Sequence, residues 1–305
     1  MAKDQPVAHG GQAVIEGVAM RGQRVMATAV RRADGSIVVD KREIIPWSAR
    51  YPFLKWPVVR GSVAMVESLV VGVNALSFSA QQFAEGEDVE LTGKDTAWMV
   101  LLAFAVTLVV FVAVPAYVAR LVQHLIPSIL LLNLLEGLLK VALFTGYIWA
   151  ISLLPDIRRV FEYHGAEHKT INAFERGDEL TVDKVRAHTT LHYRCGSSFL
   201  LIVLLTSILV FSLVTAAGRP PFLQRFLIHL AILPLVAGLS YELIRYASRR
   251  DAFFLVRWLA SPGLLIQKLT TREPDDSQLE VAIRALDEVL AGLEPSGDPG
   301  TGMVE

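Results

Sequence analysis

Four stretches of this chain are long and apolar enough to cross a lipid bilayer, which takes about 20 residues of helix. They are Trp98–Ala119, Ser128–Leu154, Ser198–Ala217 and Phe222–Tyr246. The links 120–127 and 218–221 are very short, so the stretches pair as two helical hairpins, and the rest of the chain must be built around them. Hydrophobic residues make up 53% of the 305 and the mean hydropathy is +0.45, a bias foreign to an ordinary soluble domain. The expectation is a polytopic α-helical membrane protein with about four transmembrane helices and a cytoplasmic α+β portion, embedded in a lipid bilayer.

Basic residues set the orientation. Eleven Lys and Arg fall in the first 97 residues, seven in 156–197 and seven after Tyr241, whereas the short links carry Arg120 and Arg219. The positive-inside rule then places both termini and the central loop in the cytoplasm. The net charge of -1 gives no electrostatic footprint for nucleic acid, so the partners expected are lipid or another membrane protein. The one cysteine, Cys195, excludes an internal disulfide. Met1-Ala2-Lys3-Asp4-Gln5-Pro6 has no apolar run after its lysine, so no signal peptide is expected and insertion relies on internal spans.

The polar segments divide as follows. Residues 1–60 read as β-rich, with Ala29–Arg32 and Ile37–Val39 flanking the turn signal Ala33-Asp34-Gly35-Ser36, and Pro46, Pro52 and Pro57 breaking the chain afterwards. Residues 61–83 are ambiguous. Gly61–Ala80 holds a single charge, Glu67, and is nearly long enough to span. A fifth span would carry ten basic residues outside, so an interfacial or re-entrant helix is expected. An acidic linker follows at 84–97, then the first hairpin at 98–154, the central loop at 155–197 and the second hairpin at 198–246. In 247–293, Phe253, Phe254 and Trp258 alternate with Arg257 and Lys268 as in a helix lying among lipid headgroups, with Pro262 ending or bending it. Ser277-Gln278-Leu279-Glu280 reads as a capping box opening a final helix whose Leu279, Ile283, Leu286 and Leu290 share one face. The Gly/Pro-rich tail 294–305 reads as disordered.

The central loop carries the chemistry. His164-Gly165-Ala166-Glu167-His168 is H-x-x-E-H, the inverted zinc-peptidase pattern. On a helix the two imidazoles lie four residues apart on one face, close enough to share an ion. Glu167 stands beside them as a candidate base. Two ligands are too few for a catalytic zinc, so a third is needed. Glu175 lies seven residues past His168, too far along a straight helix. Gly177 can end the helix and turn the chain back toward His188, His192 and Cys195. A site of His164, His168 and either His192 or Cys195 follows, and a thiolate would favour zinc, with iron as second choice, over magnesium. Asn172 could hold an imidazole from behind. The bland readings are a solvated His188, a Cys195 packed at the start of a span, and a Glu167 paired with Lys169 or Arg158.

Two further features stand apart. Glu136 and Lys140, at i, i+4 on the second span, read as a mutual ion pair facing the bundle, with His229 in the fourth span ambiguous. The run Gly10–Gly22 is glycine-rich and reads either as a β-turn system or as a backbone cradle aiming Glu16 and Arg21 at a substrate.

GGQAVIEGVAMRG (10–22), YHGAEHKTINAFE (163–175), LHYRCGSSFLL (191–201) and SPGLLIQKLTTREPDDSQLEVAI (261–283) together resemble the YqhQ-like bacterial membrane proteins, a domain-of-unknown-function family, over about residues 9–291. The resemblance implies a bacterial plasma-membrane setting and a predicted metal-dependent enzyme. It implies His164, Glu167, His168, His192 and Cys195 as the candidate centre. The expected function is a zinc-type enzyme, a hydrolase acting near the membrane surface. The alternatives are a non-enzymatic scaffold or regulator stapled by a structural His/Cys site, and a thiol-based redox protein centred on Cys195.

Overall fold

A computed structural model describes residues 10–22, 24–83, 93–216, 218–249 and 252–292. The chain is mostly helical, with one small antiparallel sheet. Five of its described helices are long and apolar enough to cross a membrane, one more than expected. In hydrocarbon a helix satisfies its own backbone, which is why such runs fold this way.

The sheet is a meander in the order β1-β2-β3-β4: Gly10–Val14, Gly17–Arg21, Val25–Arg31 and Ile37–Glu43. The predicted hairpin turn joins β3 to β4. Asp34 accepts hydrogen bonds from the Ser36 backbone N–H and hydroxyl, and Gly35 takes φ 85°. In the β1–β2 turn the left-handed residue is Glu16 (φ 51°) rather than a glycine. Short helix α1 (Trp47–Arg50) and a 3₁₀ turn (Pro52–Lys55) occupy the proline-broken stretch.

Helix α2 (Val59–Phe83) is the fifth candidate span. Near its start Gly61 packs on Gly238 and Tyr241, and Arg60 pairs with Glu242 at 2.5 Å. From there on it runs along the sheet. Glu67 pairs with Arg21, the Gly72 carbonyl accepts from Gln12, and the Ser79 hydroxyl accepts from the Ile15 N–H. Val14, Ala19, Met26, Val30 and Ala75 form the core between them.

Of the expected acidic linker, 84–92 lie outside the described residues, and helix α3 (Gly93–Leu108) is already under way from Gly93. A π-helical turn (Val109–Ala113) joins α3 to α4 (Val114–Val122), and α5 (Ile129–Ile151) returns. Helix α6 (Pro155–Arg176) begins after three intervening residues, with Pro155 in its first turn, where a missing N–H costs nothing. It ends where expected, at Gly177 with φ 80°. Helix α7 (Val182–Arg186) is a short turn before the second hairpin, α8 (Gly196–Val214) and α9 (Phe222–Ala247).

Helix α10 (Phe254–Thr270) runs through Pro262 rather than ending there. Pro262 cannot donate to the Trp258 carbonyl, and the Ser261 hydroxyl takes that acceptor instead at 2.7 Å. Helix α11 (Asp276–Ala291) is capped by Asp275 with Gln278, two residues earlier than the Ser277 box expected from sequence. Asp275 accepts from the Gln278 N–H at 2.9 Å and the Gln278 side chain accepts from the Asp275 N–H at 2.9 Å. Its apolar face meets β2, β3 and α6 in the main core, where Leu279, Val281, Ala282, Leu286 and Val289 are fully enclosed. The expected disordered tail lies outside the described residues.

Candidate metal centre

Helix α6 is enclosed from Tyr163 to Ala173 by the sheet, α7 and α11, so its polar residues face protein rather than solvent. Burying imidazoles and carboxylates is costly unless they find partners. His164 Nδ1 lies 2.7 Å from the Thr270 carbonyl, and His168 Nδ1 bonds the Thr190 carbonyl. A carbonyl only accepts, so each Nδ1 carries the hydrogen and each Nε2 is left for something else. The rings stand edge to face with centroids 4.5 Å apart.

Cys195, the N-cap of α8, completes the group. Its Sγ lies 3.2 Å from His164 Nε2 and 3.1 Å from the Ser197 hydroxyl. One ligand atom from each of His164, His168 and Cys195 falls within 4.8 Å of the others. Burial alone would raise the Cys195 thiol, but the neighbouring His164 imidazolium overrides this and holds it well below the ordinary thiol value. Burial likewise works against a charged His164, yet the Cys195 thiolate beside it pushes that imidazole up to about 9. A thiolate is the form of cysteine that either ligates a metal or attacks as a nucleophile.

Glu167 is 4% exposed, with Oε2 3.8 Å from His164 Nε2 and 4.0 Å from His168 Nε2. It pairs with neither Lys169, which holds Glu273 and the Arg186 carbonyl, nor Arg158, which pairs with Glu162. Gly11 lies directly on it: a Cβ there would come 2.9 Å from Glu167 Cγ.

The remaining candidates take supporting places. The His192 ring centroid is 5.8 Å from that of His168, but its Nε2 faces Glu175 at 3.5 Å. Gln267 clamps the His192 backbone at both N–H (2.9 Å) and carbonyl (2.7 Å). Between His192 and Cys195, the geometry brings Cys195 to the imidazoles. Glu175 also binds Arg194, and this pair with His192 holds its carboxyl below the usual range although burial opposes it. Asn172 donates to the Thr189 and Leu191 carbonyls (2.8 and 3.1 Å), fixing the loop whose Thr190 carbonyl orients His168. His188 pairs with Asp178 at 2.9 Å, away from the group. Glu16 binds Arg159 and Tyr163, a staple between the β1–β2 turn and α6, while Arg21 lines a cavity beside His164.

The sequence motifs missed two contributors: Thr270, because a backbone carbonyl leaves no side-chain signature, and Gln267, because its side chain reaches the loop from α10, 75 residues further along the chain. Gly165 also acquires a reason. The Arg272 carbonyl passes so close that a Cβ on Gly165 would sit 1.9 Å from its oxygen.

The family model described as "Protein of unknown function (DUF1385)" matches residues 56–292, well over half the chain. The chain belongs to this family. The DUF1385 segment begins after the sheet and contains α6, Cys195 and α10, and so every residue of the His/His/Cys group. A relative outside this segment's bounds as well as within them is "Uncharacterized protein YqhQ" of Bacillus subtilis (strain 168), 36% identical over 298 residues that cover 93% of each chain. No solved structure matches.

Proposed function

We propose that this DUF1385 protein is a metal-dependent enzyme of the hydrolase type, with a zinc ion held by His164, His168 and Cys195 at the cytoplasmic surface of a bacterial plasma membrane. One observation carries the reading: two imidazoles and a thiol converge while both rings are oriented from behind by backbone carbonyls. Carbonyl-oriented imidazoles are the usual support of metal ligands. Three protein ligands leave one position open, as catalytic zinc requires. Zinc held there supplies a Lewis acid that makes a nearby water easier to deprotonate. Glu167, about 4 Å from both Nε2 atoms, takes that proton. The sheet, closing over Glu167 through Gly11, limits bulk water around it.

In the same proposal the two hairpins span the bilayer and their short links face outward. The sheet, α6, α7 and α11 form one cytoplasmic layer, which agrees with the distribution of basic residues. Helix α2 lies along the surface although it is long enough to span. Its contacts with the sheet run from Glu67 to Ser79, roughly 18 Å of helix at 1.5 Å per residue, and a sheet with an open backbone edge and a strand carrying Asp40, Lys41, Arg42 and Glu43 cannot follow it into hydrocarbon.

The test is metal content by mass spectrometry on protein purified without chelators, wild type beside the His164→Ala/His168→Ala double variant. About one zinc per chain, lost in the variant, is the expected result. Metal-free wild type would overturn the reading. If such protein lost function only on Cys195→Ser, the site would be that of a thiol enzyme.

A further inference from the structure

We infer that the cavity beside the His/His/Cys group binds an anionic amphiphile, an alkyl or acyl chain ending in phosphate or carboxylate. The inference rests on the proposed enzyme reading for its meaning, though not for its test. The cavity measures about 600 Å³, within the roughly 300–1,000 Å³ usual for small-molecule sites. It lies between the β1–β2 end of the sheet, α2, the first half of α6 and the start of α8, and His164 forms part of its wall.

Two properties of the lining choose the ligand. First, among the described residues its charged side chains besides His164 are Arg21 and Arg194, and no carboxylate lines it. Each arginine is held by an acid outside the wall, Arg21 by Glu67 at 3.0 Å and Arg194 by Glu175. A guanidinium has five donors, more than one carboxylate takes up. Arg21 is therefore fixed in place and still suited to an anion. Second, Met20, Met26, Val71, Val160 and Phe161 give the wall a large apolar share, beside the uncharged polar side chains of Gln12, Ser68 and Ser197. A free inorganic anion has no use for that apolar share.

The position adds a route. Ser68 and Val71 of α2 line the cavity, while Val66, Leu69 and Val70 on the same helix are 40, 59 and 49% exposed. With α2 on the membrane surface, only one helix separates the cavity from lipid.

The experiment is calorimetric titration of the full chain in phosphatidylcholine nanodiscs with hexyl phosphate, hexanoate, inorganic phosphate, hexanol and an uncharged hexapeptide. Hexyl phosphate or hexanoate should bind at least tenfold more tightly than the other three, and their ranking names the head group. Arg21→Gln with Arg194→Gln should weaken that binding at least tenfold. A Cβ at Gly10, which lines the cavity, meets no atom within 4 Å. Gly10→Leu should therefore fold and keep its metal content while blocking the ligand. Equal binding of hexanol or of inorganic phosphate, tighter binding of the peptide, or unaltered binding in Gly10→Leu would each overturn the inference. Metal-free wild type that still prefers the charged alkyl probes would sink the enzyme reading and leave this one standing. Metal-loaded protein without that preference would do the reverse.

Discussion

At the scale of single residues, the motif depends on what separates its histidines as much as on the histidines. Gly165→Ala would drive a methyl into the Arg272 carbonyl. The backbone that carries the Thr270 carbonyl would have to move away from His164. The expected cost is about 1–3 kcal/mol, typical of overpacking, together with loss of metal. Thermal unfolding and metal analysis on the same sample check both. Glu167→Gln should behave differently, keeping the metal while turnover falls about 10²–10⁴-fold, the usual worth of a general base. Loss of metal instead would make Glu167 a ligand. The pairing of His164 with His168 and the position of Glu167 were legible in the sequence because helical spacing alone fixes them. The preference for Cys195 over His192 was not. It depends on where α8 begins and on Gln267 gripping the His192 backbone, neither of which is a local property of the loop.

At the scale of elements, two arrangements invite measurement. If α2 lies on the surface, Trp56→Cys and Phe83→Cys, exposed residues flanking it (65 and 66%), will both react with a membrane-impermeant maleimide from the cytoplasmic side in a Cys195→Ser background. Reaction from opposite sides would make α2 a fifth span. Within the bundle, Glu136 on α5 touches Lys140 (2.8 Å), Arg225 (2.5 Å) and His229 (3.0 Å), and Asn133 links Arg225 to Thr215. The sequence pointed to Glu136 and Lys140 as a pair. Arg225, at the start of the fourth apolar stretch, turns out to be part of the same buried network, joining the two hairpins. Glu136→Ala leaves two buried cations without their anion and should cost about 3–5 kcal/mol, read as a lower unfolding temperature in detergent. Helix ends were the least legible feature. Asp275, rather than Ser277, caps α11, and Ser261 lets α10 continue past Pro262. Both outcomes turn on one or two local hydrogen bonds that periodicity does not register.

At the scale of the whole molecule, the hairpins and the β character of 10–46 were readable from composition and alternation, but the joining of the sheet to the last helix was not. Register within β2 and β3 is local; their cover is α11, far along the chain. Leu279, Val281, Ile283, Leu286 and Val289 are each at most 9% exposed, and burying each is worth roughly 1.5–3 kcal/mol. The sum rivals the ~5–15 kcal/mol net stability of an entire domain. A chain ending at Pro274 should therefore keep its inserted hairpins yet lose metal and become protease-sensitive in the sheet, as limited proteolysis of membranes would show. That packing also sets a timetable for biosynthesis. About 245 residues separate the end of β3 from the start of α11. At roughly 5–20 residues per second, the nascent sheet waits about 12–50 s for its lid while the ribosome threads two hairpins into the membrane. During that interval one face of the sheet is bare apolar surface, and a chaperone or the lipid surface itself must shelter it.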